Sequence, residues 1–255
     1  MYWKYFSKIF ISLSLLILFT YCNDKPDYIN NTYLQKNIIN SDSLNADSLE
    51  QNIGVLHNIA LNLTIDVIKN YHSVDTIKQI IIDSLSNYNS SIFNQDSLNS
   101  NNFDIISELP FTSLGDSISI NIVFVFDTLK NCGEISNELY HELVDINNDR
   151  INNMFSCADS LIKRVEKIND SNLSTNDKRY LNVYLDILKA SKEFWESHNL
   201  EYGKLSKIND EAGDLGWIAS DAAGGLYGML GGPAWSIFEG ALFSAVWVID
   251  YNYYQ

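Results

Sequence analysis

Four histidines, His57, His72, His141 and His198, are the side chains here whose charge can change near neutral pH. None stands at metal-ligand spacing from another His or from a Cys. The chain has no CxxC, no HExxH and no glycine-rich phosphate loop. Asp145, Asn147 and Asp149 are spaced like the opening of a calcium loop. Arg150 then falls where such a loop needs Gly, and Ser156 where it needs a bidentate Glu, so that reading is rejected. Neither a metal nor a cofactor is expected. His57 with Asn58 is the best candidate for a polar site. On a helix the pair could hydrogen-bond across to a neighbour or shape a small polar pocket, although a histidine in such a pattern is more commonly a core or helix-surface residue. His141-Glu142 reads as a solvated helix face, and Asp145 with Asp149 as surface charge at i, i+4. No enzyme is expected on these residues; a dispersed catalytic site leaves no local signature and stays as an alternative.

Three cysteines remain to be placed. Lys4 and Lys8 precede an apolar run over 9–19, and Cys22 follows almost at once. A basic start, a short apolar segment and a cleavage zone predict a signal peptide over 1–21, and the run is too short to span a bilayer. Phe19-Thr20-Tyr21-Cys22 resembles a bacterial lipoprotein signal, in which Cys22 becomes the lipidated first residue. The aromatic before Cys22 resembles the looser form found in Bacteroidetes-type bacteria. Cys132 and Cys157 could oxidise to a disulfide outside the cytoplasm, or stay as two buried thiols; spacing alone cannot bring them together, which favours the thiols.

These residues need elements to position them. Residues 22–48 are polar and suit a tether. A helical body is expected over 49–200. Leu49, Ile53, Leu56, Ala60, Leu63 and Val67 lie on one helical face, and Ile77, Ile81, Leu85 and Tyr88 on another, capped by Ser73 or Asp75. Asn87 to Asn102 reads as a loop. Residues 117–126 fit both a strand and a helix; helical neighbours and the lack of an obvious partner strand favour helix. A long helical pattern over 134–168 carries four Asn in its middle, where a kink or break is expected. Ser174 or Thr175 then caps a helix whose inner face holds Leu181, Tyr184, Leu188, Ser191 and Trp195.

The tail, 201–255, differs from the rest. A small residue recurs every fourth position: Ala212, Gly216, Ser220, Gly224, Gly228, Gly232, Ser236, Gly240 and Ser244. No Lys or Arg occurs from Ala212 to Gln255, and Asp221 and Glu239 are the only charges between Asp214 and Asp250. Gly231-Gly232-Pro233 is a helix stop followed by a helix start, which predicts a hairpin of two helices, each about 25 Å long. Eight of the twelve glycines lie between Ala212 and Gln255, so neither arm would be stable alone and close packing must compensate. The seam either serves as the core of the bundle, with Asp221 and Glu239 paired or at its margin, or meets lipid or a second copy of the chain. The fold class expected is therefore all-α, an antiparallel helical bundle with a C-terminal small-residue hairpin packed into or against it.

The stretches Asn52-Ile53-Gly54-Val55-Leu56-His57-Asn58, Ser191-Lys192-Glu193-Phe194-Trp195 and Ser220-Asp221-Ala222-Ala223-Gly224-Gly225 occur in this order. Together they resemble a group of uncharacterised exported lipoproteins of Bacteroidetes-type bacteria with Gly/Ala-rich C-termini, a group that supplies no activity and no catalytic residues to carry over. The tail is also similar to the zipper segments of small membrane-active bacteriocins. Asp-Ser/Thr-aliphatic triplets resemble the O-glycosylation signal of exported proteins in the same bacteria, with Ser43 and Ser48 in the tether the most reachable.

Charge narrows the partners. The formal net charge is -15, and becomes more negative once Lys4 and Lys8 leave with the signal. Such a chain has no electrostatic footprint for nucleic acid and is repelled by anionic headgroups. Any membrane attachment must then be hydrophobic or covalent, and the N-terminal lipid is the expected anchor. The expected role is a binding or scaffolding protein of the envelope, outer-membrane or periplasmic. The main alternative is a membrane-active protein whose tail self-associates in, or perturbs, a bilayer.

Overall fold

Side-chain caps and chain breakers set most of the element boundaries. The structure is a computed structural model and describes residues 46–68, 74–90, 92–93, 111–114, 117–169, 171–198 and 211–253. The signal region, Cys22, the tether up to residue 45, Ser43, His72, Ser73 and Pro110 lie outside the described residues. The elements are α1 (Ala46–Gln51), α2 (Ile53–Ile68), α3 (Val74–Tyr88), β1 (Phe111–Leu114), β2 (Ser117–Ile120), α4 (Ile122–Asn131), α5 (Asn137–Ile151), α6 (Ala158–Asn169), α7 (Thr175–His198), α8 (Glu211–Gly228) and α9 (Pro233–Tyr253). Among the described residues the fold is all-α apart from the small hairpin β1–β2.

Ser136 caps α5 by accepting from the Leu139 amide at 3.1 Å, and Ser174 caps α7 by accepting from the Asp177 amide at 3.0 Å. Asp177 is itself buried and accepts from the Ser136 amide at 2.8 Å, so one carboxylate ties the start of α7 to the start of α5. The asparagine-rich middle of the 134–168 pattern does break: α5 stops at Ile151, and Asn153 takes a positive φ of 55° before α6 begins. The helix favoured for 117–126 forms only in its second half. Residues 117–120 pair with 111–114 in an antiparallel register, Phe111 opposite Ile120 and Leu114 opposite Ser117. That short partner strand satisfies the backbone, and Asn121 then caps α4 by accepting from the Phe124 amide. Helix also starts earlier than the tether was assigned to end, so Ser48 lies in α1 rather than in an extended segment.

The tail is the hairpin α8–α9, closed by a 3₁₀ turn at Met229–Gly231 and by Gly232 at φ 97°. Pro233 occupies the first turn of α9. Every residue over 215–229 and 235–246 is buried. α8 packs on α4, α5, α6 and α7, while α9 packs on α1, α2, α3 and β2, so the seven other described helices all touch the hairpin. A helix that is buried all round must be apolar over most of its surface, and these two are, apart from Asp221, Glu239 and the serines of the seam. Within the hairpin the small residues let the backbones meet. A Cβ at Gly224 would stand 2.6 Å from the Glu239 carbonyl oxygen, and one at Gly228 would overlap the Trp235 carbonyl. Ser236 donates to the Gly225 carbonyl at 2.7 Å across the same seam. Ser220 and Ser244 are buried, as are Gly216 and Gly240; Ala212 lies in the first turn of α8. No described helix is long and apolar enough to cross a membrane.

Replacing Gly228 by Val should prevent the hairpin from closing. Overpacking at a backbone contact predicts a loss of about 3 kcal/mol or more in urea unfolding. A variant as stable as wild type would show that α8 and α9 do not approach at this point.

Candidate functional site

The crossing of α2, α7, α8 and α9 brings chemistry-bearing side chains together inside the bundle. His57 lies on the inner face of α2 between Ile53, Leu56 and Ala60. Gly54, one turn earlier, lets α2 reach α7, since a Cβ there would stand 2.6 Å from the Asp186 carbonyl oxygen. Gly225 does the same for α8, where a Cβ would run into the Ile187 side chain. Gly240 admits the imidazole, because a Cβ there would stand 2.9 Å from His57 Cδ2 and 3.3 Å from the Asp221 carbonyl oxygen. Three close approaches thus deliver His57, Ser191, Trp195 and Asp221 to one place.

Asp221 is the hub. Its Oδ2 accepts from Ser191 Oγ at 2.5 Å and from Trp195 Nε1 at 3.2 Å, and lies 3.8 Å from His57 Nε2. His57 Nδ1 meets Asn58 Oδ1 at 3.1 Å, and Asn58 Nδ2 donates to the Ala190 carbonyl of α7 at 2.8 Å. The hydrogen bond across helices expected of the His57–Asn58 pair is therefore made by Asn58. His57, Ser191 and Asp221 are all fully buried, and Glu239 of α9 is 1% exposed. The two tail carboxyls were placed at the margin or in a pair. Neither is at a margin; Asp221 is held by hydroxyl and indole donors, and Glu239 Oε2 has no hydrogen-bond partner. Trp195 extends the cluster through an edge-on contact with Trp217, ring centroids 4.8 Å apart.

The surroundings push each group toward its neutral form. Burial raises Asp221 to about 7, against the downward pull of the Ser191 hydrogen bond. Burial raises Glu239 to about 8, opposed by the charge of Lys78. Burial lowers His57 to about 4, opposed by its hydrogen bond to Asn58. A neutral imidazole beside a protonated carboxyl is the arrangement these directions describe, and one proton serves the pair over a wide range of pH.

The residue types Ser, His and Asp suggest nucleophilic catalysis, but their order in space does not. A general base must sit between the hydroxyl and the acid that orients it. Here the carboxyl lies between serine and histidine, and the hydroxyl donates to the carboxyl. All three are sealed from solvent. The arrangement can hold four helices in register; it cannot receive a substrate without opening the bundle.

The other sequence candidates do not join this cluster. Cys132 and Cys157 are exposed free thiols, so both the disulfide and the buried pair of thiols are corrected. Cys132 caps the end of α4 and Cys157 precedes α6, with the whole of α5 between them. Fifteen helical residues span about 22 Å, far beyond the reach of a disulfide. Asp145, Asn147 and Asp149 lie on α5, where Asn147 accepts from Arg150 at 3.0 Å, and no described group of acidic, His or Cys side chains could hold a metal. His141 is exposed. An open groove of about 890 Å³ runs between α1 and α7, lined by Glu50, Gln51, Thr175, Arg179, Asn182 and Asp186 among others. Its two walls are joined by a forked pair in which Arg179 Nε and Nη2 each donate to Glu50 at 2.8 Å. No protein family, curated protein or solved structure matches the chain. The site thus defines its class from its own geometry: a sealed polar lock in an all-α bundle wrapped around a buried hairpin.

Asp221→Ala should destabilise the protein by about 2–4 kcal/mol, because Ser191 Oγ and Trp195 Nε1 lose their acceptor in a dry interior. Asp221→Asn keeps an acceptor and should fall within about 1 kcal/mol of wild type at pH 6. Urea unfolding of the two variants at that pH gives the ordering; equal losses would remove Asp221 from the role of hub.

Proposed function

We propose that this is an exported envelope protein, anchored by lipid on Cys22, whose helical body binds or scaffolds a partner and catalyses nothing. The observation that supports the reading best is where the chemistry goes. The one described cluster of Ser, His and Asp is sealed at a four-helix crossing and serves packing, while the outer faces of the wrapping helices carry charged side chains of both signs. The residues of 1–22 support export and lipidation, and the Gly/Ala-rich tail supports a place among exported lipoproteins of Bacteroidetes-type bacteria. A body held by a lipid needs no apolar span of its own, which agrees with described helices too short or too polar to cross a bilayer.

One observation favours a second reading, a membrane-active hairpin. Both arms are buried over 215–229 and 235–246, so a hairpin freed from its wrapping would present a largely apolar surface, as a bilayer-seeking segment does. α9 has 21 residues and a length of about 31 Å, close to the thickness of a hydrocarbon core. Against it stand Asp221, whose donors lie on α7 and would be lost in lipid, and the modest hydropathy of both arms.

Membrane fractionation of wild type and Cys22→Ser tests the first reading, which expects the variant to leave the membrane fraction. Retention of the variant on membranes would overturn it. The unlipidated chain from residue 23 should neither bind nor empty dye-loaded vesicles. Leakage at micromolar protein would replace the first reading by the second. Deletion of residues 212–255 should unfold the body, since every other described helix packs on that hairpin.

A further inference from the structure

We infer that the seating of the α8–α9 hairpin in its wrapping is controlled by protons held at Asp221 and Glu239, with buried His57 acting against them, so that the hairpin is gripped firmly on the acid side of neutrality and loosened on the alkaline side. The inference does not depend on what the protein binds.

Three features of the geometry carry it. The first is position. Asp221, His57 and Glu239 are each between 0% and 1% exposed; Asp221 and His57 lie where α8 and α9 meet α2 and α7, and Glu239 lies on α9 within the field of Lys78 of α3. A charge created there cannot be solvated without separating those helices. The second is the supply of donors. Asp221 Oδ2 has the Ser191 hydroxyl and the Trp195 indole, but Oδ1 has no hydrogen-bond partner. Glu239 Oε2 and His57 Nε2 have none either. An ionised carboxylate presents about four acceptor sites, so both carboxyls are under-supplied in their charged form and better matched as neutral acids. The third is the scarcity of countercharge. The hairpin contains no Lys or Arg from Ala212 to Gln255. The titratable groups described as facing the cluster are His57 from α2, 3.8 Å from Asp221, and Lys78 from α3, whose charge acts on Glu239. From α7 come Ser191 and Trp195 and from α9 Ser244, which do not titrate in this range but draw Asp221 downward, and the titratable groups described as facing it from α8 and α9 are the two acids themselves.

The direction of the pH effect follows from which state holds more protons. Asp221 keeps its proton in the folded protein up to about pH 7, and Glu239 up to about pH 8, whereas an unfolded chain releases both near the ordinary carboxyl values. Their stabilisation is complete in acid and is lost as pH rises through those values. His57 acts oppositely. Its folded value of about 4 lies below the ordinary 6.5, so its share is present above 6.5 and is lost as pH falls toward 4. Below about 6.5 the imidazole cancels one of the two carboxyls. Above it the carboxyls act alone, and stability falls most steeply there. Each proton retained only by the fold changes the ratio of folded to unfolded chain by up to about tenfold per pH unit.

The experiment is urea unfolding of the full mature chain at pH 5, 6, 7 and 8.5, with the comparison from pH 6 upward made beside the double variant Asp221→Asn with Glu239→Gln. Wild type should lose at least tenfold in its folded-to-unfolded ratio across this range, and the double variant, which mimics the protonated acids permanently, should lose much less. His57→Gln should steepen the dependence below pH 6.5. Hydrogen exchange corrected for intrinsic rates should show α8 and α9 losing protection at pH 8.5 before α5 and α6 do. Two results would overturn the inference: a flat wild-type profile, or an equal fall in the double variant. Should the variants not fold, infrared spectra of wild type decide. A carboxylic-acid carbonyl band present at pH 6 and gone by pH 9 is expected, and its absence at pH 6 would reject the proposal.

Discussion

Burial of the α8–α9 hairpin on all sides is the constraint from which the rest of the architecture follows. Glycine-rich helices are poor helices alone, because each interior Gly costs roughly 1 kcal/mol relative to Ala. This pair gains its stability from backbone-to-backbone contact at Gly224 and Gly228 and from the apolar surface that seven other helices cover. A central hairpin needs surrounding helices with one apolar face and one wet face. That is the pattern of α6, where Leu161, Ile162, Val165 and Ile168 face inward and Lys163 and Lys167 outward. Wrapping helices without the hairpin would have no common core. The hairpin without them would expose Leu226, Tyr227, Phe238, Phe243 and their neighbours at once.

Much of this was legible in the residues. The turn at Gly231-Gly232-Pro233, the breaking asparagines and the serine cap of α7 act within a few residues of themselves, so their effects can be read without knowing the fold. The inner face of α7, with Ser191 and Trp195 on it, follows from periodicity alone, as does His57 on the inner face of α2. The strand at 117–120 was not legible, because alternation there coincides with a helical stripe and its partner at 111–114 is only four residues long. The sealed site was legible only in pieces. His57, Ser191, Asp221 and Glu239 could each be singled out, but their convergence depends on the crossings at Gly54, Gly225 and Gly240. Nothing in a glycine's immediate neighbours says which helix will approach it.

Burying Asp221 looks like a liability, since a well-packed apolar side chain of similar volume would avoid desolvating a carboxyl. The small-residue seam explains why it has a use. A repeat of Gly, Ala or Ser every four residues is nearly unchanged by sliding one arm along its neighbour by one turn, about 5.4 Å. After such a slip, small residues would again face small residues, and contact area alone would discriminate poorly between the two registers. Polar groups discriminate well, because their partners are fixed in place. Sliding α8 along α7 by one turn would take Asp221 from Ser191 and Trp195, leaving a carboxyl and a hydroxyl unpaired in a dry interior, at roughly 1–3 kcal/mol each, and the indole N–H of half-buried Trp195 without its acceptor. Sliding α9 along α8 would likewise separate Ser236 from the Gly225 carbonyl and move Gly240 from beside His57, where no residue with a side chain fits. The polar lock therefore supplies the uniqueness that a repetitive seam lacks. Because two of its members carry protons that water would remove near neutrality, that uniqueness is tied to pH in the same stroke.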